Sequence, residues 1–384
     1  MKIALAHKQL DLGGGTERDF YRTAEGLRDL GHEVHLFCGE FRVPPPEGTR
    51  AHKVPSLPLG RTARLLSLAF LSPRIIRRHM CDVVVGFGRM VQQDILRSGG
   101  GSHRVFLQKM EQGGGVRRRL WHRFSIYHRS ALAVERLQYH PRNYKKILAV
   151  SQEVKREIMT TYHVPEEKVS VIYNGVDHER FHPSNRGKAR QRIRRQWGIP
   201  PEAPLVLFVG SGFQRKGLDR LLNVWESPRL AGIYLLVVGE DAQRNRYSSW
   251  ADRQTKGRIV FAGRQSEVEN YYGAADLLAL PAFQEAFGNV VLEALASGLP
   301  VLAAKTVGAA EVLTGELEEG ILAYPDDPSE IERKIISMLE RDRWEILSRQ
   351  ARRLGENHSW KDHFHKLESY LLEVAEMDRR GAFS

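Results

Sequence analysis

Apolar residues along the chain fall into short runs, each followed by a glycine-containing turn and then by apolar positions at helical spacing. Lys2 to Ala6 is the first run. Gly13, Gly14 and Gly15 make its turn, and a helix starts at Thr16 with Phe20, Ala24 and Leu27 on one face. Thr16 and Asp19 resemble a capping box, and Gly31 predicts the helix end. Val34 to Phe37, Val83 to Phe87 and Ile147 to Val150 read as further strands, the last leading into a helix at Ser151. Alternation of strand and helix implies a parallel sheet.

A stretch from His182 to Pro204, basic and flanked by prolines, reads as a connector. Beyond it the pattern restarts. Strands are predicted at Leu205 to Val209, Ile233 to Val238, Arg258 to Phe261, Asp276 to Leu280 and Val301 to Ala303. Helices are predicted at Leu218 to Trp225, Ser266 to Ala275 and Asn289 to Ser297. With 384 residues the chain is too long for one core, so the fold class expected is α/β, with two Rossmann-like, doubly wound domains in tandem. The two cysteines, Cys38 and Cys81, are too few for a disulfide framework, so they read as buried apolar residues in a reducing compartment. His7 and Lys8 interrupt the first apolar run, which is too short for a signal sequence, and no run approaches a membrane span. A secreted or membrane-spanning protein is therefore not expected.

Charge is unevenly placed. The formal net charge is +12, but residues 61–146 hold 18 Lys and Arg against 4 Asp and Glu, or +14, leaving −2 for the rest. Apolar residues such as Leu65, Leu66, Phe70 and Ile75 interleave with Arg64, Arg74, Arg77 and Arg78, and Arg117 to Arg119 run into Trp121, Phe124 and Tyr127. Such a surface suits anionic lipid, an anionic acceptor or a phosphate backbone, and equally an ordinary solvated helix face. The nucleic-acid module signatures are missing, so nucleic acid is not an expected partner.

Two turns in the second half carry the chemistry. Gly210-Ser-Gly-Phe-Gln-Arg215-Lys216-Gly217 follows a strand, and its glycines and adjacent cations suit a phosphate; Leu218 and Asp219 stand where a P-loop needs Lys and Ser/Thr. In Glu285-Ala286-Phe287-Gly288-Asn289-Val290-Val-Leu-Glu293, two carboxylates bracket a helix start able to receive an anion. Together the turns read as a nucleotide-sugar site. In the first half, the Gly13 to Gly15 turn, Gly86-Phe87-Gly88-Arg89-Met90 with Asp94, and Ser98-Gly99-Gly100-Gly101-Ser102-His103 are candidate acceptor-side turns.

The Glu285-x7-Glu293 motif, the Arg215-Lys216 turn, the Ser151-Gln-x-Val-Lys run and Val171-Ile-Tyr-Asn174-Gly175-Val176-Asp177 resemble glycosyltransferase family 4 of the GT-B fold over essentially the whole chain. Gly14-Gly15-x-x-Arg18-Asp19-Phe20 and Val85-Gly86-Phe87-x-x-Met90 further resemble the lipopolysaccharide core glucosyltransferases. The resemblance implies an acceptor-binding domain at 1–170, with a C-terminal helix at 360–384 packing back on it. It places a nucleotide-sugar-binding domain at 171–359, the two facing across a cleft. It implies a retaining enzyme that moves a hexose, glucose from UDP-glucose, onto a lipid-linked anionic core oligosaccharide at the inner face of the cytoplasmic membrane, with the 61–146 segment touching the bilayer.

By the same resemblance Arg215 and Lys216 bind the diphosphate, Glu285 the sugar hydroxyls and Glu293 the ribose. Gly210, Ala286, Phe287, Gly288, Asn289 and Val290 complete the donor site, and Gly14 and Gly15 let the first domain close on the diphosphate. Asp19 and His103 face the acceptor and join Arg215, Lys216 and Glu285 as catalytic residues. The resemblance implies a front-face displacement with electrostatic stabilisation of the leaving group, which fits a sequence in which no carboxylate pair is clearly set out as nucleophile and acid/base. No cofactor or metal is expected: there is no Asp-x-Asp and no closely spaced His/Cys ligand pattern. Alternatives are a family 4 transferase using UDP-N-acetylglucosamine or GDP-mannose for other glycans, and a UDP-sugar 2-epimerase of the same fold.

Overall fold

The computed structural model describes residues 1–112, 124–255 and 258–381. Arg117 to Arg119 and Trp121 of the basic stretch lie outside the described residues. The chain divides into two compact units, one of residues 1–173 with 361–384 and one of residues 174–360.

The first unit holds β1 (Lys2–Leu10), α1 (Gly15–Asp29), β2 (Glu33–Phe41), β3 (Arg50–Lys53), α2 (Gly60–Arg77), β4 (Val83–Gly86), β5 (Ile95–Ser98), α3 (His103–Gln112), α4 (Ile126–Gln138), β6 (Lys146–Ala149), α5 (Gln152–Tyr162) and β7 (Val169–Val171). Its seven strands are all parallel, in the order β3-β2-β1-β4-β5-β6-β7. Ile3, Leu5, Val34, Leu36 and Cys38 on one face of the sheet pack with Phe20, Ala24 and Leu27 of α1. Ala4, Ala6 and Phe37 on the other face pack with Ile76 of α2. Adjacent positions of β1 and β2 thus serve opposite faces, as the period of a strand requires.

The second unit holds α6 (Asn185–Gln196), β8 (Leu205–Val209), α7 (Leu218–Val224), β9 (Tyr234–Val238), α8 (Arg244–Thr255), β10 (Ile259–Gly263), α9 (Val268–Ala274), β11 (Leu277–Leu280), α10 (Asn289–Ala296), β12 (Val301–Ala304), β13 (Ile321–Leu322), α11 (Pro328–Leu339) and α12 (Arg341–Glu356). Its six parallel strands run β10-β9-β8-β11-β12-β13. Each sheet is wound outward from its first strand, and the order reverses beside β1 and beside β8. Crevices at the carboxyl ends of such strands are where this architecture places ligands.

The last helix, α13 (Trp360–Gly381), returns to the first unit, where Leu367, Leu371, Val374 and Ala375 complete the core with Phe20 and Leu27. Its approach to α1 is so close that a Cβ on Gly26 would lie 2.3 Å from the Phe364 ring.

Four local readings change. The predicted capping box is replaced by Gly14 as the N-cap of α1, with no side-chain cap, because the helix already begins at Gly15 and Thr16 lies inside it. β1 continues past Ala6 to Leu10. The edge strand β3 and strand β5 are additions. The connector contains helix α6, and Arg186, Arg190 and Arg194, one turn apart, reach the Asp276 carboxylate at 2.7, 2.8 and 2.7 Å. Burial raises the Asp276 carboxyl, but the three guanidiniums outweigh it and hold it below the ordinary range. Cys38 is buried, and burial pushes its thiol up to about 12, which suits a packing residue rather than a nucleophile.

Candidate functional site

In the second unit, the turn after β8 and the turn after β11 meet beside the point where the strand order reverses. Gly217 allows it: at φ +79° it sits so close to β11 that a Cβ would fall 1.9 Å from the Pro281 carbonyl. Backbone bonds lock the turns together, Phe283 N–H donating to the Arg215 carbonyl at 2.9 Å. A Cβ on Gly210 would meet the Lys216 side chain at 2.6 Å, so glycine there lets that side chain cross the turn.

The two cations converge on one carboxylate oxygen. Arg215 Nη1 lies 2.7 Å and Lys216 Nζ 3.3 Å from Glu285 Oε2, and Arg215 also donates to the Gln284 carbonyl at 2.9 Å. Burial raises the Glu285 carboxyl, yet Lys216 and Arg215 outweigh burial and keep it below its ordinary value. Two positive groups and one negative group leave the site with a net positive charge, half-buried, where an anion would find charge-assisted donors already assembled.

Glu285 is itself held, its N–H donating to the Thr306 carbonyl and its own carbonyl accepting from Gly308 at 3.0 Å. Gly288 is the N-cap of α10 at φ +93°, wedged between Val307 and the Glu285 side chain. Asn289 and Val290 open the helix, whose first-turn amides point along its axis. Asn174 donates from Nδ2 to Asn289 Oδ1 at 2.8 Å, fastening the helix start. Ala286 and Phe287 lie in the same turn, and Glu293 one helical turn onward accepts a 2.6 Å bond from the Tyr272 hydroxyl. Thus Gly210, Arg215, Lys216, Glu285 and the run to Asn289 and Val290 are assembled by two adjoining turns. Tyr272 and Asn174 are supporting residues with no sequence signal beyond the Asn-Gly run.

In the first unit, a cavity of about 990 Å³ opens at the carboxyl ends of β1, β4 and β5. Its lining includes Lys8, Arg42, Lys53, Arg61, Arg64 and Arg89, against the carboxylates Glu17, Glu40 and Glu135. The His7 ring at 3.9 Å and the Lys8 ammonium at 2.9 Å hold Glu17 well below the carboxylate range against its burial. Gly88 and Gly99 to Gly101 also border the space. Gly14 and Gly15 open α1 nearby in sequence, and a Cβ on Gly14 would strike Glu17 Oε2 at 2.3 Å.

Three expected acceptor-side groups are placed differently. Asp19 is 3% exposed and does not border the cavity; its carboxylate accepts from the buried guanidinium of Arg97, a residue that does border it. His103 is the first residue of α3, its ring 3.1 Å from His128 and its N–H donating to Glu135 at 2.6 Å, so Glu135 rather than His103 borders the space. Asp94 accepts from the Val84 amide and pairs with Lys145, a link between strands rather than an acceptor contact. Asp19 and His103 belong to the first unit, whereas Arg215, Lys216 and Glu285 belong to the second.

Three histidines distant in sequence also meet. His35 on β2, His52 on β3 and His79 after α2 bring ring nitrogens within 4.8 Å of one another. Their spacing in the chain gave no sign of this.

Both halves of the chain match known protein families. The Glycosyltransferase Family 4 profile matches residues 13–180, and the Glycosyl transferases group 1 profile matches residues 189–359. The chain is 28% identical over 332 residues to the lipopolysaccharide glucosyltransferase WaaG of Escherichia coli, covering 84% of this chain and 86% of that one. The crystal structure of WaaG, a glycosyltransferase involved in lipopolysaccharide biosynthesis, superposes with a TM-score of 0.80 at 24% identity, over 96% of this chain and 99% of the other. Anabaena HepE in complex with UDP-glucose superposes with a TM-score of 0.71 at 18% identity, over 97% and 100%.

Proposed function

We propose that this chain, which belongs to glycosyltransferase family 4 and has the GT-B fold, moves glucose from UDP-glucose onto a lipid-linked, anionic core oligosaccharide with retention of configuration. The observation that carries the reading is the convergence of Arg215 and Lys216 on Glu285 beside the start of α10. When the donor enters, its diphosphate takes the place of the carboxylate as the anion facing the two cations. Both cations strengthen their hold as charge accumulates on the leaving phosphate, the condition under which fixed charges accelerate a reaction. Glu285, released from part of that pairing, takes sugar hydroxyls. Glu293, oriented by Tyr272, takes the ribose. The departing phosphate oxygen accepts the acceptor's proton on the same face, so no protein nucleophile and no metal is required.

The acceptor side of the reading rests on the cavity of the first unit, with its excess of Arg and Lys. Phosphorylated sugar is the chemistry such a lining favours. The likeness to WaaG supports the same choice. Contact with an anionic bilayer at the cytoplasmic face is supported by Leu59, Phe124 and Ile126, which are 78%, 70% and 73% exposed in and beside the basic segment. Among the described residues no helix is long and apolar enough to cross a membrane.

The deciding experiment offers UDP-glucose, UDP-N-acetylglucosamine, GDP-mannose and ADP-heptose separately and follows donor hydrolysis and thermal stabilisation. Selective response to UDP-glucose is expected. Response to another donor alone would overturn the sugar assignment, and release of an epimerised free sugar without acceptor would replace transfer with the epimerase reaction.

A further inference from the structure

We propose that His35, His52 and His79 form a site for one divalent transition-metal ion, separate from the residues that handle the donor and from the lining of the cavity. His35 and His52 stand on neighbouring strands, where the parallel register sets His52 opposite Phe37 and His35 opposite Arg50. Alternation along β2 puts His35 and Phe37 on the same face. His79 joins from the turn that ends α2, its carbonyl accepting from Lys2 Nζ at 2.6 Å.

The nitrogens are already arranged as a ligand set. His35 Nδ1 is 2.9 Å from His52 Nε2, and the ring nitrogens of all three lie within 4.8 Å. An ion about 2.0–2.1 Å from each of three tetrahedral nitrogen ligands needs them about 3.3 Å apart, inside that range. Small ring rotations therefore close the site. Phe37 walls it on one side, stacked on His52 at 4.6 Å and edge-on to His79 at 5.2 Å. His35 is buried, while His52 and His79 are half-buried, which leaves a path for an ion and room for water as a fourth ligand.

The outer contacts supply the second argument. His35 Nε2 is 2.9 Å from Glu33 Oε1, and Glu33 is in turn held by Arg50 at 3.0 Å. A carboxylate can only accept, so Nε2 carries a proton, and in the neutral ring Nδ1 then presents its lone pair toward the other rings. This carboxylate–imidazole pairing is the arrangement that orients histidine ligands in metal sites. Starting from neutral rings the proton count balances: the proton that His52 Nε2 donates to His35 moves to His52 Nδ1 through solvent, and the three imidazoles bind the ion without net proton release. Neutral imidazole ligands favour zinc, nickel, cobalt or copper over magnesium or calcium. Bound there, the ion would fasten the short edge strand β3 to β2 and to the end of α2.

The test uses full-length protein with no affinity tag, stripped by a chelator and titrated calorimetrically with Zn²⁺, Ni²⁺ and Co²⁺. One saturable site per chain is expected, with a raised melting temperature and the visible absorption of a low-coordinate Co²⁺ complex. His52→Gln and His79→Gln, at half-buried positions, should each weaken binding at least 100-fold, and Glu33→Gln about 10- to 100-fold. His365→Gln should bind as wild type, since that ring is half exposed and stands outside the cluster. Circular dichroism of the metal-free variants checks their folding. Absence of a saturable site in wild type overturns the proposal whatever the variants do, and so does unchanged affinity in a folded His52→Gln, His79→Gln double variant. In that case the three rings are a packing cluster only.

Discussion

The guanidinium of Arg97 and the carboxylate of Asp19 form a closed ion pair, Nε to Oδ2 at 3.0 Å, in which the two side chains are 0% and 4% exposed. Phe87 lies under the same guanidinium at 5.1 Å. A buried charge is tolerated only with its partner, and removing one partner of such a pair costs about 3–5 kcal/mol. Asp19→Asn is therefore expected to lower the unfolding free energy read from urea melts by that amount, while leaving the thermal shift produced by donor intact. A variant as stable as wild type would show that Arg97 finds another anion.

Lys216→Ala and Glu285→Ala test the donor site in opposite directions of charge. Loss of the lysine removes a cation from the leaving group and should lower kcat about 100- to 1000-fold, the range for deleting a preorganised charge-stabilising group. Loss of Glu285 leaves Arg215 and Lys216 without their shared carboxylate. Donor diphosphate should still bind, measured with UDP alone, while sugar transfer collapses. If both variants turn over normally, these residues do not act on the donor.

Gly217→Ala isolates the geometry from the charges. The new methyl group would meet the Pro281 carbonyl and would require a side-chain-bearing residue at φ +79°. The turns after β8 and β11 should separate, and stabilisation by nucleotide sugar should be lost although every charged residue remains. Normal donor stabilisation would mean that the turns are joined by their other bonds.

His363 on α13 gives a pH signature. Burial, aided by the Arg97 cation, pushes its ring from 6.5 down to about 4, and its Nδ1–H donates to the Tyr173 carbonyl at 2.7 Å. The folded state keeps this ring neutral while the unfolded chain takes a proton at its ordinary value. The associated stability is thus complete above pH 6.5 and is lost as pH falls toward 4, a change of about 3 kcal/mol. His363→Asn, which retains a donor for Tyr173, should flatten the difference between urea melts at pH 7.5 and pH 4.5. An equal slope in wild type and variant would assign the acid sensitivity elsewhere.

What the sequence could reveal followed from which residues had to be apolar. β8, β9 and β11 are buried on both faces, so Leu205 to Val209, Leu235 to Val238 and Leu277 to Leu280 stand out as continuous apolar runs. β3 reads Arg-Ala-His-Lys because an edge strand has less to bury, and it leaves no such mark. β5 was masked by Arg97, whose burial makes sense only with Asp19 from α1. Helix α6 carries few apolar residues, but its arginines at four-residue spacing were a signal of one face with a common partner, Asp276. The turns after β8 and β11 were legible because glycine and paired charges after a strand are local features. His35, His52 and His79 were not, since only the strand register and the end of α2 bring them together.

The return of α13 to the first unit sets an order of events during synthesis. Residues 174–360 form a unit with its own strands, whereas the sheet that emerges earlier from the ribosome lacks Leu367, Leu371 and Val374 until residues 174–360 have been made. Of these two units, the one whose strands are made earlier is thus completed later, and until α13 docks, the surface of β1 and α1 that it will cover is open to any chaperone or neighbouring nascent chain.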